Sequence, residues 1–329
     1  MQTRTLGRTG RTVSVIGLGT WQLGADWGEV DEGDALAVLD AAFASGVTFF
    51  DTADVYGDGR SEAFIARWLV DHPDSGVTVA TKMGRRMPQE HENYSLEHFR
   101  AWTDRSRANL GVDTLDLVQL HCPPTSVYAD DRVFDALDTL VAEGAIANYG
   151  VSVEKVEEAL AAIARPHVAS VQIILNAFRL KPLDEVLPAA REAGVGIIAR
   201  VPLASGLLSG RYTLDTQFAA NDHRSFNRHG ESFDVGETFS GVDYATGVRA
   251  AGEFTELARA AAPDATAAQV ALAWIAAQDG VSSVIPGARN PEQARANAGA
   301  GSLELPVGFD DAVRELYDRE IRAQVHGRW

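Results

Sequence analysis

LDLVQLHCPPTSVYADDRVFDALDTLVAEGAIANYGV, residues 115–151, decides the fold. Leu115–Leu120 is apolar along nearly its whole length, the mark of a strand buried on both faces. An amphipathic helical segment, Asp130–Glu143, follows, and Gly144 stands where a helix end needs positive φ. Ile146–Val151 is again a short run rich in β-branched and apolar residues. Strand, helix and strand in this order form a unit of parallel sheet.

The unit recurs in both directions. Val13–Leu18, Val47–Phe50 and Val77–Ala80 precede it, and Ser170–Leu175, Gly196–Val201 and Ser283–Ile285 follow, making eight strands. Between them lie Asp34–Ser45, Ser61–Val70, Ser95–Leu110, Val153–Ala164, Leu183–Ala193, Ala250–Ala261 and Ala267–Gln278. Apolar residues fall at three- and four-residue spacing, as in Leu36, Leu39, Ala42 and Phe43. Gly46, Gly111 and Gly194 close further helices. Eight such units in 329 residues fit a closed (β/α)8 TIM barrel as one domain over 1–329. An open doubly wound sheet is the competitor, but Gly17-Leu18-Gly19-Thr20-Trp21-Gln22 lacks the third glycine of its fingerprint.

Two regions stand outside the repeat. The first twelve residues, with Gly7 and Gly10 flanking Arg8-Thr9, suggest a short β-hairpin closing the barrel floor. Arg211–Gly247 is polar, glycine-containing and aperiodic, an extended loop after the seventh strand. A mobile surface insertion and a lid over the site both fit such a loop.

The net charge of −17 disfavours nucleic acid and anionic membranes as partners. Cys122 is the only cysteine, which excludes a disulfide within the chain and a cysteine-based zinc site. No apolar run reaches the roughly 18 residues of a membrane span. Met1–Gly7 lacks the apolar stretch of a signal peptide, so a cytoplasmic location is expected. Monomer and homo-oligomer fit the pattern equally.

Active sites of such barrels are built at the C-terminal ends of the strands. Asp51, Lys82 and His121 stand at three adjacent strand ends, with Tyr56 in the loop beyond the first. Singly each has an ordinary reading: a helix cap, a solvated lysine, a core histidine, a packing tyrosine. Jointly they make a proton-transfer site. A phenol titrates near 10, and a neighbouring ammonium favours its ionised form. Lys82 supplies that ammonium, Asp51 can hold it protonated, and His121 can orient a substrate oxygen. No cluster of ligands points to a metal.

The chain here resembles the aldo-keto reductase superfamily from Arg4 to about Ala300. The motifs are Leu6-Gly7-Arg8-Thr9-Gly10, Gly17-Leu18-Gly19-Thr20, Phe50-Asp51-Thr52-Ala53-Asp54-Val55-Tyr56-Gly57, Ala80-Thr81-Lys82 and Gln119-Leu120-His121. Tyr149-Gly150-Val151-Ser152, Gly206-Leu207-Leu208-Ser209-Gly210 and Ile285-Pro286-Gly287-Ala288-Arg289 follow, with Gln293 and Asn297. The resemblance implies a barrel binding NADP(H), with NAD(H) as an alternative, and a catalytic tetrad of Asp51, Tyr56, Lys82 and His121. It implies hydride transfer between nicotinamide and a small-molecule carbonyl or alcohol. Tyr56 would be the acid in reduction and the base in oxidation.

The resemblance also implies that Ser152 and Gln172 hold the carboxamide and that Leu203, Ser205, Gly206, Leu207 and Ser209 follow the pyrophosphate. Gly287, Ala288, Arg289, Gln293 and Asn297 would hold the adenosine end, with Arg289 on a 2′-phosphate. Gly19, Thr20, Trp21, Asp51, Arg200, Val201, Pro202 and Ile285 complete the cofactor set. Trp21, Asp26, Trp27, Tyr56 and His121 are the candidate substrate wall, with core packing as the other reading of Trp21. Val153, Arg200 and Ala296 depart from the family pattern of Asn, an aromatic and Glu. Arg200 could stack on nicotinamide, or bind substrate anions or phosphate. Two other functions compete: a Schiff-base lyase using Lys82, and an NADPH-binding regulatory subunit.

Overall fold

The computed structural model describes residues 1–24, 30–220 and 222–329. Trp27 and Asp26 of the expected substrate wall, and Asn221 of the long loop, lie outside the described residues. An antiparallel hairpin, β1 (Thr3–Thr5) and β2 (Thr12–Ser14), comes first. Eight parallel strands follow: β3 (Leu18–Gly19), β4 (Phe49–Asp51), β5 (Thr78–Met83), β6 (Leu117–His121), β7 (Tyr149–Ser152), β8 (Val168–Ile174), β9 (Gly196–Arg200) and β10 (Val281–Val284). They pair in chain order, and parallel bridges Ile16↔Val284 and Gly19↔Gly287 close the ring. This is the (β/α)8 barrel that the repeat implies.

The expected first strand, Val13–Leu18, divides in two. Val15 N still donates to Gln2 O in the hairpin, whereas Gly17 N donates to Val284 O in the barrel. The chain therefore leaves the hairpin and enters the wall within one apolar run. At β4, β5, β6 and β7 the observed ends lie further on than expected, so that Asp51, Lys82 and His121 are themselves strand residues, whereas β8, β9 and β10 each end one residue earlier than expected.

The hairpin closes the floor. Leu6 packs inside the barrel with Val13, Phe49, Ala80, Leu117, Ile198 and Ile285. Gly7 (φ 46°) lies so close that a Cβ would stand 2.1 Å from Gly196 N and 2.3 Å from Ala169 O. Arg8 donates to the carbonyls of Arg165, Pro166, Val168 and Ala193, between the ends of two helices and the start of β8.

Side chains alternate between inner and outer faces, both buried. Along β6, Leu117, Gln119 and His121 share the face opposite Val118 and Leu120. Phe49 and Asp51, Ala80 and Lys82, and Ile198 and Arg200 repeat the same step. The inner layer is thus apolar at the floor and polar toward the C-terminal mouth. Outside lie α1 (Glu32–Ala44), α2 (Arg60–Asp71), α3 (Leu96–Leu110), α4 (Asp131–Ala142), α5 (Val156–Ile163) and α6 (Val186–Ala193). After β9 come the short α7 (His223–Phe226), then α8 (Tyr244–Ala261), α9 (Ala267–Ala277), α10 (Pro291–Gly299), α11 (Phe309–Glu320) and α12 (Arg322–Val325). Among the described residues no helix is long and apolar enough to cross a membrane.

The long segment after β9 is packed onto the barrel mouth. His223, Arg224, Asn227, Thr238, Phe239 and Ser240 are buried. Asn176 Nδ2 donates to Ser240 Oγ at 2.7 Å. Asn227 Oδ1 accepts from the backbone of Ser232 and Phe233.

Candidate active site

The polar layer at the mouth begins with an ion pair. Lys82 Nζ donates to Asp51 Oδ1, and both side chains are almost fully buried. A second bond from Nζ reaches Thr52 O at 2.9 Å, and a third, long one reaches the Tyr56 hydroxyl at 3.4 Å. Asp51 Oδ2 is held from the other side by Gln172 Nε2 at 2.8 Å and Gln119 Nε2 at 3.1 Å. Every oxygen of the buried carboxylate is thus matched, as low dielectric demands.

Tyr56 is set by glycines. A Cβ on Gly57 (φ 59°) would stand 2.1 Å from Gly24 O, and one on Gly24 would stand 2.7 Å from the Tyr56 carbonyl carbon. Only glycine allows these two loops to touch. The Tyr56 ring meets His121 edge-on, with 6.1 Å between centroids, and Trp21 at 6.2 Å.

The electrostatics correct one expectation. Lys82 does favour the Tyr56 phenolate, but burial, Asp51 and Glu237 oppose it, and the net shift is upward from the phenol's ordinary value. At rest Tyr56 is a neutral acid. For Lys82, burial disfavours the charge, yet Asp51 and Tyr56 outweigh it and raise its pKa. His121 is pushed well below its usual value by burial, Arg85, Lys82 and Arg200, so its imidazole is neutral. His121 Nδ1 has no hydrogen-bond partner among the described residues.

A cleft of about 510 Å³ opens over this layer. Of the expected cofactor residues it is lined by Gly19, Thr20, Trp21, Asp51, Gln172, Arg200, Val201, Pro202, Leu203, Ser205, Gly206, Ser209, Ile285, Gly287, Arg289, Gln293 and Asn297. Ser152, Leu207 and Ala288 do not line it. The Ser152 hydroxyl lies against the buried Cys122 thiol, Leu207 packs on Gly247, and Ala288 is buried. Arg289 Nη2 lies 3.9 Å from Asp222 Oδ2, which also pairs with Arg224. Arg211, Arg224 and Arg289 all face the cleft, so a local basic lining exists despite the negative chain.

Arg200 is not an unengaged cation. Its Nη2 lies 2.9 Å from Glu154 Oε2 and its Nη1 3.4 Å from Glu237 Oε2. Arg85 joins the same carboxylates, 3.2 Å from Glu237 and 3.7 Å from Glu154. Cys122, Glu154 and Glu237 bring three ligand atoms within 4.8 Å of one another. The two guanidiniums on those carboxylates oppose a metal cation there.

Sequence reasoning missed Gln119 as a partner of Asp51, although it is in the motif before His121. It also missed Glu154, Glu237, Arg85 and His223. Glu237 and His223 come from the aperiodic segment, where no spacing signals a role. Asp54 was missed too. It is fully buried two positions before Tyr56, and neither carboxyl oxygen has a hydrogen-bond partner among the described residues. Burial and Glu62 raise its pKa to about 7 against the pull of Arg86 and Arg105.

The Aldo/keto reductase family model matches residues 15–318, which contain every element of this site. The chain belongs to the aldo/keto reductase family. An uncharacterized oxidoreductase of Mycobacterium tuberculosis is 34% identical, covering 96% of this chain and 93% of its own. A Schizosaccharomyces pombe aldo-keto reductase named with NADP(+) is 29% identical, covering 96% and 91%. The glycerol dehydrogenase of Gluconobacter oxydans superposes with a TM-score of 0.76 at 27% identity, covering 94% and 93%. In this aldo/keto reductase the Asp51–Lys82 pair, Tyr56 and His121 converge at the mouth as the motifs imply.

Proposed function

We propose that this chain is an NADP(H)-dependent oxidoreductase acting on the carbonyl or alcohol group of a small molecule, with Tyr56 as its acid and base. The observation that carries the reading is the Tyr56 hydroxyl within 3.4 Å of Lys82 Nζ, whose charge is fixed by buried Asp51.

The cleft fits a dinucleotide. It places Arg289, Gln293 and Asn297, suited to a phosphorylated ribose, in one groove with Gln172, Arg200 and Tyr56. Ser205 and Gly206 adopt left-handed backbone (φ 55° and 97°) along its wall, a conformation that lets a chain pass close to phosphate. The NADP(+) named for the yeast relative supports the same cofactor. When bound, the nicotinamide supplies or takes the hydride.

The chain's own residues handle the proton. Tyr56 holds its proton at rest and donates it to a carbonyl oxygen in reduction. Lys82 stabilises the phenolate left behind, since an adjacent ammonium favours that form. Asp51 keeps Lys82 charged, and Gln119 and Gln172 keep Asp51 in place. The neutral imidazole of His121 can donate to the same substrate oxygen without adding a competing acid. A Schiff-base role for Lys82 needs a neutral amine, and the pairing with Asp51 works against it.

A panel of aldehydes, ketones, sugars, polyols and inositols, run in both directions with each nicotinamide cofactor, tests the reading. Cofactor-linked turnover of at least one neutral carbonyl or alcohol is expected. Binding of NADPH with no turnover of any of them would refute the enzymatic role.

A further inference from the structure

The end of the cleft nearest Tyr56 carries two guanidiniums, Arg200 on the wall and Arg85 behind it. An arginine facing a pocket, with a second guanidinium close behind, ordinarily recruits carboxylate or phosphate. Here both are already engaged. Arg85 Nη2 donates to Glu237 Oε1 at 3.2 Å, and Arg200 lies between Glu237 and Glu154. Arg200 Nη2 also donates to Val153 O at 3.1 Å. Two guanidiniums therefore meet two carboxyls, with the Cys122 thiol beside them. Of the two acids, burial pushes Glu154 up, while Arg200 and Arg85 outweigh burial at Glu237 and hold it ionised.

Glu237 lines the cleft beside Tyr56, Arg200 and His223. Its backbone is pinned. Ser205 Oγ donates to Glu237 O at 3.0 Å and accepts from Phe239 N at 3.0 Å. The preceding turn is fastened by Trp329, whose Nε1 donates to Asp234 Oδ1 at 3.0 Å and whose ring lies 3.8 Å from the Arg179 guanidinium. A substrate anion approaching Arg200 from the cleft would meet the Glu237 carboxylate, which lines the cleft beside it and is held in place by the fold.

We infer that Glu237 is a specificity-determining residue: it masks the Arg85–Arg200 pair and restricts the site to uncharged carbonyl and alcohol substrates. This rests on the proposed oxidoreductase reading. Trp21 and His223, with centroids 5.1 Å apart, add an aromatic wall to the cleft, and Phe233 packs on Trp21 at 6.2 Å; such a wall suits uncharged carbon frameworks.

The test compares benzamide with benzoate, a near-isosteric neutral and anionic pair, binding to the protein with and without NADP(+) and read by tryptophan fluorescence. The ratio of benzoate to benzamide affinity should rise at least about tenfold in Glu237→Gln, because a unit charge close to the ligand is removed. It should stay near the wild-type ratio in Glu237→Asp. Adding Arg200→Met to Glu237→Gln should cancel the gain. An unchanged ratio in Glu237→Gln, or an equal gain in Glu237→Asp, would overturn the inference. Reduction of 4-formylbenzamide is followed in parallel. Its absence in the wild type would count against the oxidoreductase reading, and the binding ratio would still decide the role of Glu237.

Discussion

Removing either partner of the Asp51–Lys82 pair leaves a charge stranded and buried at the mouth of the barrel. In Lys82→Met, the Asp51 carboxylate keeps only the two glutamine donors, at 2.8 and 3.1 Å. In Asp51→Asn, the ammonium keeps Thr52 O and the Tyr56 hydroxyl. The new amide also cannot accept from both Gln119 and Gln172 while turning its oxygen to Lys82. Breaking a buried pair this way costs about 3–5 kcal/mol. The double variant strands no charge, so it should recover about 2 kcal/mol or more of the summed losses. Urea unfolding of the wild type and three variants, at constant m-value, measures the coupling. Carbonyl reduction should be lost in all three, including the restabilised one: both Lys82→Met variants lack the ammonium that stabilises the Tyr56 phenolate, and in Asp51→Asn the ammonium loses the carboxylate that fixes its charge and place. Losses that add to within about 0.5 kcal/mol would show that the two residues do not act as a pair. Full activity in the double variant would refute the chemistry assigned to them.

Arg289→Ala should weaken NADPH binding by about tenfold or more and change NADH binding little, as fluorescence titration can measure. An equal loss for both cofactors would remove Arg289 from the 2′-phosphate. Asp54→Asn should become progressively stabilising as pH rises. The wild-type carboxyl holds its proton up to about 7 when folded but releases it near 3.8 when unfolded, so its stability contribution is lost between those values. Each pH step of one between them is worth about 1.4 kcal/mol, so the gain at pH 8 relative to pH 4 should reach a few kcal/mol in urea unfolding. A pH-independent difference would contradict the assignment. Trp329→Ala removes a buried ring, its bond to Asp234 and its contact with Arg179. It should cost about 3 kcal/mol or more and loosen the segment carrying Glu237, seen as faster amide exchange over residues 234–241.

Residues that touch their partners through a repeating pattern were legible in the sequence. The strand runs, the glycine stops and the polar tips of β4, β5 and β6 report the barrel, and the barrel reports where Asp51, Lys82 and His121 meet. Proline-started α10 and acidic α11 escaped the strand–helix reading: α10 buries only Ala294 and Ala298, too faint an apolar stripe to see, and α11 follows a helix rather than a strand. The direction of the Tyr56 shift was not legible, because it depends on burial and on Glu237, 181 positions away in the chain. The partners of Arg200 were not legible for the same reason: Glu154 and Glu237 stand 46 and 37 positions from it, and Glu237 is placed only by the packing of an aperiodic loop. Asp54 is one letter of a motif until the fold buries it without partners.

The role of Tyr56 remains the claim on which the others depend. Single-turnover reduction of an aldehyde by Tyr56→Phe, with NADPH bound at saturation, tests it most directly. Hydride transfer should be slower by about 10²–10⁴-fold, with NADPH affinity close to that of the wild type. Transfer at the wild-type rate would contradict the assignment of Tyr56 as the acid.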